Sequence, residues 1–428
     1  MSKPERSPAT ARRRATALVL AALGTVVPAA AGAGLPATTV HLLADARARV
    51  VDGETSWLDE GLGKARYGSG DGTATGLAVA DLSLLVRSEW SWSVSSYLHL
   101  QHTPEQENAI DVVEAWVGYR PAPRPGLRVS GRAGLYYPHV SREHTGAAWT
   151  TPLTITPSAA NSWVGEEIRA LGGEVTLALR GEQAQLALTG GLFGFNDPAG
   201  TLLAFRGWAL GDVKAAAFGR LPLPPLPSIG VPDAFLWRQV RWVRPVCEVD
   251  GRVGHYVALD GGPGRRLQAG VFYYDNGGDP RALEHGQYGW DTRFWNLSLA
   301  GEPAAGWTVI AQYMAGVTSM GWRKANGQLP VDVGYDTGFV LASRSLGPYT
   351  LTARHDRFTA RDNSFVAEDD NSEHGSAWTA AAGRRVGRRD RVLLEWLRVA
   401  STRPARATLG VEPGQVQAQW QLAWRRLF

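Results

Sequence analysis

The sequence predicts an all-β fold: a transmembrane, antiparallel up-and-down β-barrel of sixteen strands, with eighteen as the alternative count. Three observations predict it. Segments of about 10 to 12 residues alternate between apolar and polar side chains, the linkers between them are alternately short and long, and the last segment runs up to Phe428. Segments of this length can cross a bilayer when they are tilted.

The composition excludes several other classes of protein. Charged residues make up 20% of the 428 residues and interrupt the chain throughout. A polytopic helical membrane protein needs several uncharged apolar runs of about 20 residues, so that class is excluded. A single cysteine, Cys247, excludes a disulfide framework, and a hydrophobic fraction of 44% excludes a disordered chain.

The first 33 residues are typical of a secretory signal peptide. Three arginines at 12–14 precede a 13-residue apolar stretch at 15–27, and 31–33 form an A-x-A cleavage site. The rival interpretation is a single anchoring helix, which proline and glycine residues would interrupt. We therefore expect export through the secretory pathway and one barrel domain over 34–428.

The charge of the mature chain argues against a nucleic-acid partner. Removing residues 1–33 takes away five basic residues and one acidic residue and leaves 39 of each sign. A neutral chain lacks the excess of clustered basic charge that nucleic-acid binding requires.

The period of two is clearest in the last segment. Val416, Ala418, Trp420, Leu422 and Trp424 alternate there with glutamines at 415, 417, 419 and 421. The same pattern recurs at 90–101, 127–137 and 306–317. One apolar face and one polar face are typical of a half-buried β-strand.

Sixteen such segments can be placed along the chain. They start near Val40, Thr75, Trp90, Ala109, Gly126, Glu166, Gln183, Val246, Arg266, Trp290, Gly306, Val333, Tyr349, His374, Asp390 and Gly414. Their linkers alternate between short turns and long loops, and the two longest loops are 138–165 and 196–245. A soluble sandwich would also show the period of two, but this turn parity favours an outer-membrane barrel.

Aromatic residues are expected at the two ends of the barrel wall, where a bilayer meets water. Trp90, Trp92, Tyr119, Trp307, Tyr349 and Trp424 fall near the short turns, and Tyr137, Tyr273 and Trp378 fall near the long loops.

Taken together, the signal peptide, the alternating strands and the final run 420–428 resemble a Gram-negative outer-membrane porin. Trp420, Leu422, Trp424 and Phe428 resemble the signal that the barrel assembly machinery recognises, although Arg426 departs from it. The resemblance implies location in the Gram-negative outer membrane, contact with lipid and lipopolysaccharide, and a homotrimer. It also implies that the third loop, 138–165, folds into the lumen.

On this interpretation the polar faces line a water-filled channel for passive diffusion of small hydrophilic solutes or ions. Twelve residues are candidates for the pore lining and constriction: Arg128, Arg132, His139, Arg142, Glu143, His144, Glu174, Gln312, Arg354, Asp356, Gln417 and Gln419. Both signs of charge occur among them, so the sequence leaves anion or cation preference open. We expect no cofactor, no metal and no catalytic residue.

Two alternatives stay open. Loop 196–245 contains a predicted helix at 202–218 and a proline-rich run at 221–227, and it could close the lumen of a barrel that acts as a surface binding or receptor protein. The pair His139 and Ser141 matches the His-x-Ser pair of outer-membrane phospholipases, which would make the chain a hydrolase.

Overall fold

The computed structural model describes residues 36–70, 72–182, 184–264, 266–366 and 370–428. The predicted signal peptide lies outside the described residues. Among the described residues, no helix is long and apolar enough to span a bilayer.

Sixteen strands form the wall of the molecule. They are β1 Ala37–Asp52, β2 Thr73–Glu89, β3 Val94–His102, β4 Asp111–Tyr119, β5 Leu127–Tyr136, β6 Ala170–Arg180, β7 Gln185–Gly194, β8 Gly254–Gly262, β9 Gln268–Asp275, β10 Asp291–Gly301, β11 Trp307–Met320, β12 Val331–Leu346, β13 Tyr349–Asp362, β14 Glu373–Val386, β15 Asp390–Thr402 and β16 Gly414–Leu427.

Each strand pairs antiparallel with the next along the chain, and β16 pairs with β1, so the sheet closes into a barrel. The predicted fold class and the count of sixteen are confirmed. Closure gives every strand two neighbours, which satisfies the backbone hydrogen bonds and leaves no free edge.

The seam between β1 and β16 carries side-chain bonds as well as the ladder from Leu43↔Leu427 to Asp52↔Ala418. Arg425 pairs with Asp45 across it at 2.7 Å, and Arg47 donates to Gln421 at 3.4 Å. Both contacts point into the barrel and are buried.

The outer surface of the wall is apolar. Leucine, valine and aromatic side chains alternate along the strands with residues that face inward, and many of the outward side chains are about half exposed. On β16, Val416, Trp420, Leu422 and Trp424 face out while the glutamines between them are buried. This is the alternation of a barrel that faces lipid.

The predicted aromatic positions agree with the structure except at Tyr137. Trp90, Tyr119 and Trp378 are exposed on the outside, whereas Tyr137 is buried in the lumen. Its ring packs under the guanidinium of Arg169 at 3.9 Å, because the chain turns inward at the end of β5.

Three predicted strand starts were wrong. Trp90 lies in the turn between β2 and β3, and its strand begins at Val94. Glu166 belongs to a helix, and its strand begins at Ala170; Val246 lies in a loop, and its strand begins at Gly254. Glu248 accepts hydrogen bonds from the backbone of Phe195 and Gly251, and these bonds hold 246–253 as loop.

The interior is filled by the third and fourth long loops. They carry helix α1, Ala159–Glu167, and helix α2, Thr201–Phe205, and every residue of both helices is buried. The helix predicted at 202–218 is wrong beyond Phe205, because the chain is held extended by contacts with the wall rather than by its own turns. The proline-rich run pairs with loop backbone through Leu221–Pro222 and Trp242–Val243.

Candidate functional site: the barrel lumen

The third long loop crosses the lumen as soon as it leaves β5. The guanidinium of Arg142 pairs with Asp260 on β8 and donates from Nε to Ser298 on β10 at 3.0 Å. The backbone N–H of Arg142 donates to Gln312 on β11 at 2.9 Å. Arg142 and Gln312, both predicted pore residues, therefore fix the start of this loop to β8, β10 and β11.

Arg354 on β13 is the centre of the next contact. Its Nη1 lies 3.0 Å from Glu143 and its Nε lies 2.8 Å from Asp356. It also donates to the carbonyls of Thr156 and Pro157 at 2.7 and 2.9 Å. All three charged side chains are buried, so they hold the loop rather than face free water.

The same acids stabilise the start of helix α1. Glu143 accepts from the backbone of Ser158 at 3.0 Å and from the side chain of Asn161 at 2.5 Å, and Asp356 accepts from the backbone of Ala159 at 3.2 Å. Carboxylates at a helix N-terminus satisfy its free N–H groups and complement its dipole.

The glutamines of β16 hold other loops. Gln417 accepts from the backbone of Lys64 at 2.5 Å and of Ala65 at 3.2 Å, and Gln421 donates to Thr156 at 3.3 Å. The amide of Gln419 is buried and has no partner among the described residues.

Helix α1 also carries the anchor for the fourth loop. Glu167 accepts from the indole of Trp163 at 2.6 Å and from the backbone of Gly200 and Leu202 at 3.1 and 2.8 Å. Burial raises the pKa of Glu167 to about 7, although the three donors oppose that shift.

The fourth loop then runs along the inside of the wall from β10 to β4. Thr292 on β10 donates to the carbonyl of Ala199, and Arg403 donates to those of Ala204 and Phe205. The indole of Trp208 donates to Thr359 on β13 at 2.8 Å. Sequence reasoning left open whether this loop enters the lumen; it does.

We call residues 212–218 of this loop the strap, because they tie it to β1, β2 and β4. Asp212 pairs with Arg47 at 2.5 Å and with Arg66 at 2.9 Å. Burial would raise the pKa of Asp212, but these two arginines hold it well below its usual range.

The other end of the strap is bound to β2 and β4. Lys214 pairs with Asp81 at 2.5 Å and donates to the carbonyl of Ala148 at 3.1 Å. The backbone of Ala217 donates to Val112 at 2.8 Å. The sequence analysis did not single out Asp81, Asp212 or Lys214 as functional residues. The rarity of lysine could have pointed to Lys214, since residues 34–428 contain only three lysines.

The wall between β5 and β6 carries an ion pair. Arg132 lies 2.7 Å from Glu174, which also accepts from the hydroxyl of Tyr256. The Arg132 guanidinium donates to the carbonyl of Tyr137 at 2.9 Å and lies 4.1 Å from the centre of the Tyr136 ring. Arg128 is half-buried and bonds to no described side chain.

A cavity of about 390 Å³ lies between the third loop and the wall near β2 to β5. Tyr97, Trp116 and Arg132 line it from the wall, and His144 and Trp149 line it from the loop. These wall residues lie toward the short turns, so the cavity occupies that half of the barrel.

The loop side of the cavity is an aromatic stack. The ring of Trp149 lies 3.8 Å from that of Tyr137 and 3.4 Å from that of His144, nearly parallel to both. Ala148 and Trp149 have φ of +55° and +54°, a conformation that side chains other than glycine seldom adopt. The stack and the bond from Lys214 to Ala148 hold this strained backbone in place.

His139 and Ser141 do not form the pair that a hydrolase would need. Nδ1 of His144, rather than His139, lies 2.8 Å from the Ser141 hydroxyl, and His139 lies beside Arg142 at 3.5 Å. The Ser141 oxygen also accepts from the backbone of Glu143 and His144, which is an ordinary turn contact. These residues lie inside the lumen rather than on the surface that faces lipid.

Comparisons with known proteins identify the fold. No protein-family model and no curated protein matches the sequence. Among solved structures, an anion-selective porin from Comamonas acidovorans has a TM-score of 0.51 at 12% identity, over 92% of this chain and 99% of that chain. The outer-membrane channel DcaP of Acinetobacter baumannii has a TM-score of 0.52 at 9% identity, over 91% and 97%. OmpF of Salmonella typhi, solved with daunomycin, has a TM-score of 0.51 at 10% identity, over 91% and 97%.

The chain has the porin fold. At these identities the likeness concerns the fold alone. Within this porin fold, the third loop occupies the middle of the lumen and the fourth loop lies above it, toward the long-loop side.

The fourth loop of this porin fold contains a group of acids that sequence reasoning missed. Oxygens of Asp197, Glu248 and Asp250 lie within 4.8 Å of one another. Burial raises the pKa of Asp197 to about 7, and the two neighbouring carboxylates add to the shift. Backbone N–H groups already bond to oxygens of all three carboxylates, so the group orders the loop that precedes β8.

Proposed function

We propose that the chain is an outer-membrane channel that admits small hydrophilic solutes or ions to the periplasm of a Gram-negative cell. The observation that carries the proposal is the 390 Å³ cavity with polar groups in its lining, inside a closed barrel whose outer surface is apolar. An apolar outer face suits lipid, and polar groups inside suit water and solute.

The proposed path through this channel runs along one side of the lumen and not through its centre. Helices α1 and α2 pack on inward aromatic side chains of β7 to β13, among them Phe272, Phe294 and Tyr335. These packed side chains fill much of the lumen on that side. The cavity lies on the opposite side, and beyond the strap a second cleft of about 30 Å³ opens beside Arg66, Glu105 and Lys214. We propose that the strap, whose Lys214 lines the cleft and contacts Ala148 in the lining of the cavity, is the barrier between the two.

Single-channel recording of the refolded mature chain in a planar bilayer tests the proposal. We expect discrete conductance steps that are smaller than those of a barrel with an unobstructed lumen. Reversal potentials in a salt gradient would give the ion preference. Stable insertion without any conductance would contradict the channel.

The second candidate is a barrel with a closed lumen that binds a ligand at the cell surface. The complete burial of helix α2 and of Trp208 favours it, because these residues fill space that a wide pore would leave open. The same recording separates the two functions, since only the channel conducts.

We further propose the partners that the porin resemblance implies. Trp420, Leu422, Trp424 and Phe428 form the assembly signal; the first three face outward on β16, and all four side chains are exposed, as recognition by an assembly factor requires. The apolar outer wall would contact lipid, lipopolysaccharide and two further copies of the chain. Cross-linking of the protein in native membranes, followed by electrophoresis, tests the trimer.

A further inference from the structure

The cavity in the lumen has two aromatic walls. On the barrel side the rings of Tyr97 and Trp116 lie 5.3 Å apart at 34°. On the loop side Trp149 stacks on Tyr137 and His144. Trp149 lies between Tyr137 and His144, and Arg169 covers the other face of Tyr137, so this side offers ring edges and the outer face of His144 to a flat ring, while Tyr97 and Trp116 offer aromatic surface on the barrel side.

Hydrogen-bond donors without partners lie along the same cavity. Nη1 of Arg132 and the hydroxyl of Tyr97 make no hydrogen bond with any residue that the structure describes. Nδ1 of His144 lies 2.8 Å from the Ser141 hydroxyl, and burial keeps the pKa of His144 well below its usual range, so the ring is neutral.

The side chains that line the cavity offer fewer charged hydrogen-bond acceptors than donors. The carboxylate of Glu114 is the acid among the lining residues, and one of its oxygens already faces the backbone N–H of Tyr137 at 3.5 Å. The acid next to Arg132, Glu174, is occupied by Arg132 and Tyr256. A solute that supplies acceptors thus satisfies more of this lining than one that supplies donors.

We propose that this cavity is a binding site for small aromatic carboxylates, with the ring between the two aromatic walls and the carboxylate on Arg132. Nε and Nη2 of Arg132 already donate to Glu174 and to the carbonyl of Tyr137, so Nη1 is the group that would donate a charge-assisted hydrogen bond to the solute carboxylate, and Tyr136 on its other side orients the guanidinium. The volume of about 390 Å³ suits a single substituted ring. The proposal rests on the lumen being a solute path, since the solute must reach the site, but binding itself does not require conduction.

Isothermal titration calorimetry on the detergent-solubilised, folded barrel tests the site with four probes: benzoate, cyclohexanecarboxylate, benzamide and glucose. We expect benzoate to bind at least tenfold more tightly than each of the others. Equal binding of cyclohexanecarboxylate would overturn the role of the aromatic walls, and equal binding of benzamide would overturn the role of the carboxylate. Preferential binding of glucose would overturn the proposed class of ligand.

Matched variants locate the site. Arg132→Gln should weaken benzoate binding at least tenfold, whereas Arg128→Gln, on the same strand and also inward, should leave it within twofold. Trp116→Leu should weaken binding, and Trp295→Leu on the outer face should not. Heat-modifiable migration on a gel checks that each variant is folded, and Tyr97→Leu replaces Trp116→Leu if the latter fails to fold.

Calorimetry and single-channel recording test the binding site and the channel independently. A barrel that binds benzoate without conducting would keep the site and overturn the channel. A barrel that conducts without binding benzoate would keep the channel and overturn the site. In a conducting barrel, benzoate should also lower the current in the wild type and not in Arg132→Gln.

Discussion

Arg354 is predicted from the sequence as a pore-lining charge, and its surroundings in the structure are those of a clamp. Five hydrogen bonds or ion pairs join it to two acids, two loop carbonyls and Thr379, and its side chain is inaccessible to solvent. A buried charge with all its partners is stable, but removing one partner of such a group leaves the others unpaired.

We expect Arg354→Met to lower the free energy of unfolding by about 3 to 5 kcal/mol, because Glu143 and Asp356 would be left buried without their cation. Urea unfolding of the barrel in detergent micelles measures this. Arg361→Met is the control: Arg361 pairs with Asp336 on the exposed outer face, and its loss should cost less than about 1 kcal/mol. Equal losses in the two variants would contradict the clamp.

Glu167 predicts a pH dependence of stability. Its pKa in the folded chain is raised from 4.5 to about 7, so the unfolded chain releases this proton first as pH rises. The contribution of Glu167 to stability is therefore fully present below about pH 4.5 and falls by about 3 kcal/mol up to about pH 7.

Glu167→Gln, which stays neutral, should show a smaller fall over this range. Asp197 titrates in the same interval, so the difference between the wild-type and variant slopes is the quantity to measure. Unfolding midpoints at pH 4.5 and pH 7.5 give it. Parallel slopes would show that Glu167 ionises normally in the folded barrel.

At the scale of elements, the strap is the part of the fourth loop that sets the width of the proposed path. Lys214 joins it to the wall at Asp81 and to the third loop at Ala148. Lys214→Met keeps most of the side-chain volume but removes both contacts, so the strap should move more freely.

Single-channel conductance should rise in Lys214→Met, with more frequent transitions between levels. Lys324→Met is the control, because Lys324 lies in an exposed loop between β11 and β12. An unchanged or lower conductance in Lys214→Met would place the barrier elsewhere in the lumen.

The elements also show where sequence reasoning succeeds. Strands such as β11 and β16 were predicted with the correct face inward. Apolar and polar side chains alternate with a period of two when one face of a strand lies against lipid and the other faces the lumen. The helix predicted at 202–218 was not correct beyond Phe205. Trp208, Leu210 and Val213 are apolar because they contact the wall and the loops on several sides, and not because they share one face of a helix. Contacts between residues far apart in sequence, such as Lys214 with Asp81, leave no local pattern.

For the whole molecule, the apolar outer wall predicts that the effect of an arginine substitution on stability depends on whether the position faces lipid. Leu297 is at the middle of β10 and faces outward, and about half of its side chain is exposed. We expect Leu297→Arg to destabilise the barrel in lipid vesicles by about 2 to 4 kcal/mol, since arginine at the bilayer midplane is costly.

Trp237→Arg is the matched control for Leu297→Arg. Trp237 is equally exposed, but it lies in the fourth loop, away from the barrel wall. Its replacement should change stability by no more than about 0.5 kcal/mol. Similar effects at the two positions would mean that β10 does not face lipid.

The parity of turns and loops predicted the whole barrel because a closed sheet with both chain ends on one side allows few other arrangements. The contents of its lumen were less predictable. The eight pore candidates that lie on strands face the interior, and the other four lie in the third loop, yet the loops determine whether each side chain contacts water, a helix or another charge. Whether any of the twelve lines a pore stays a prediction.

The contacts at the seam bear on the order of events during folding. The third loop bonds to β15 and β16 through Glu395 and Arg425, while the strap bonds to β1 and β2 on the other side of the same seam. Loops enclosed by the wall on both sides of its last joint cannot be threaded in afterwards. We therefore expect the loops to be seated while the barrel is still an open sheet, with the pairing of β1 and β16 as the final step of folding.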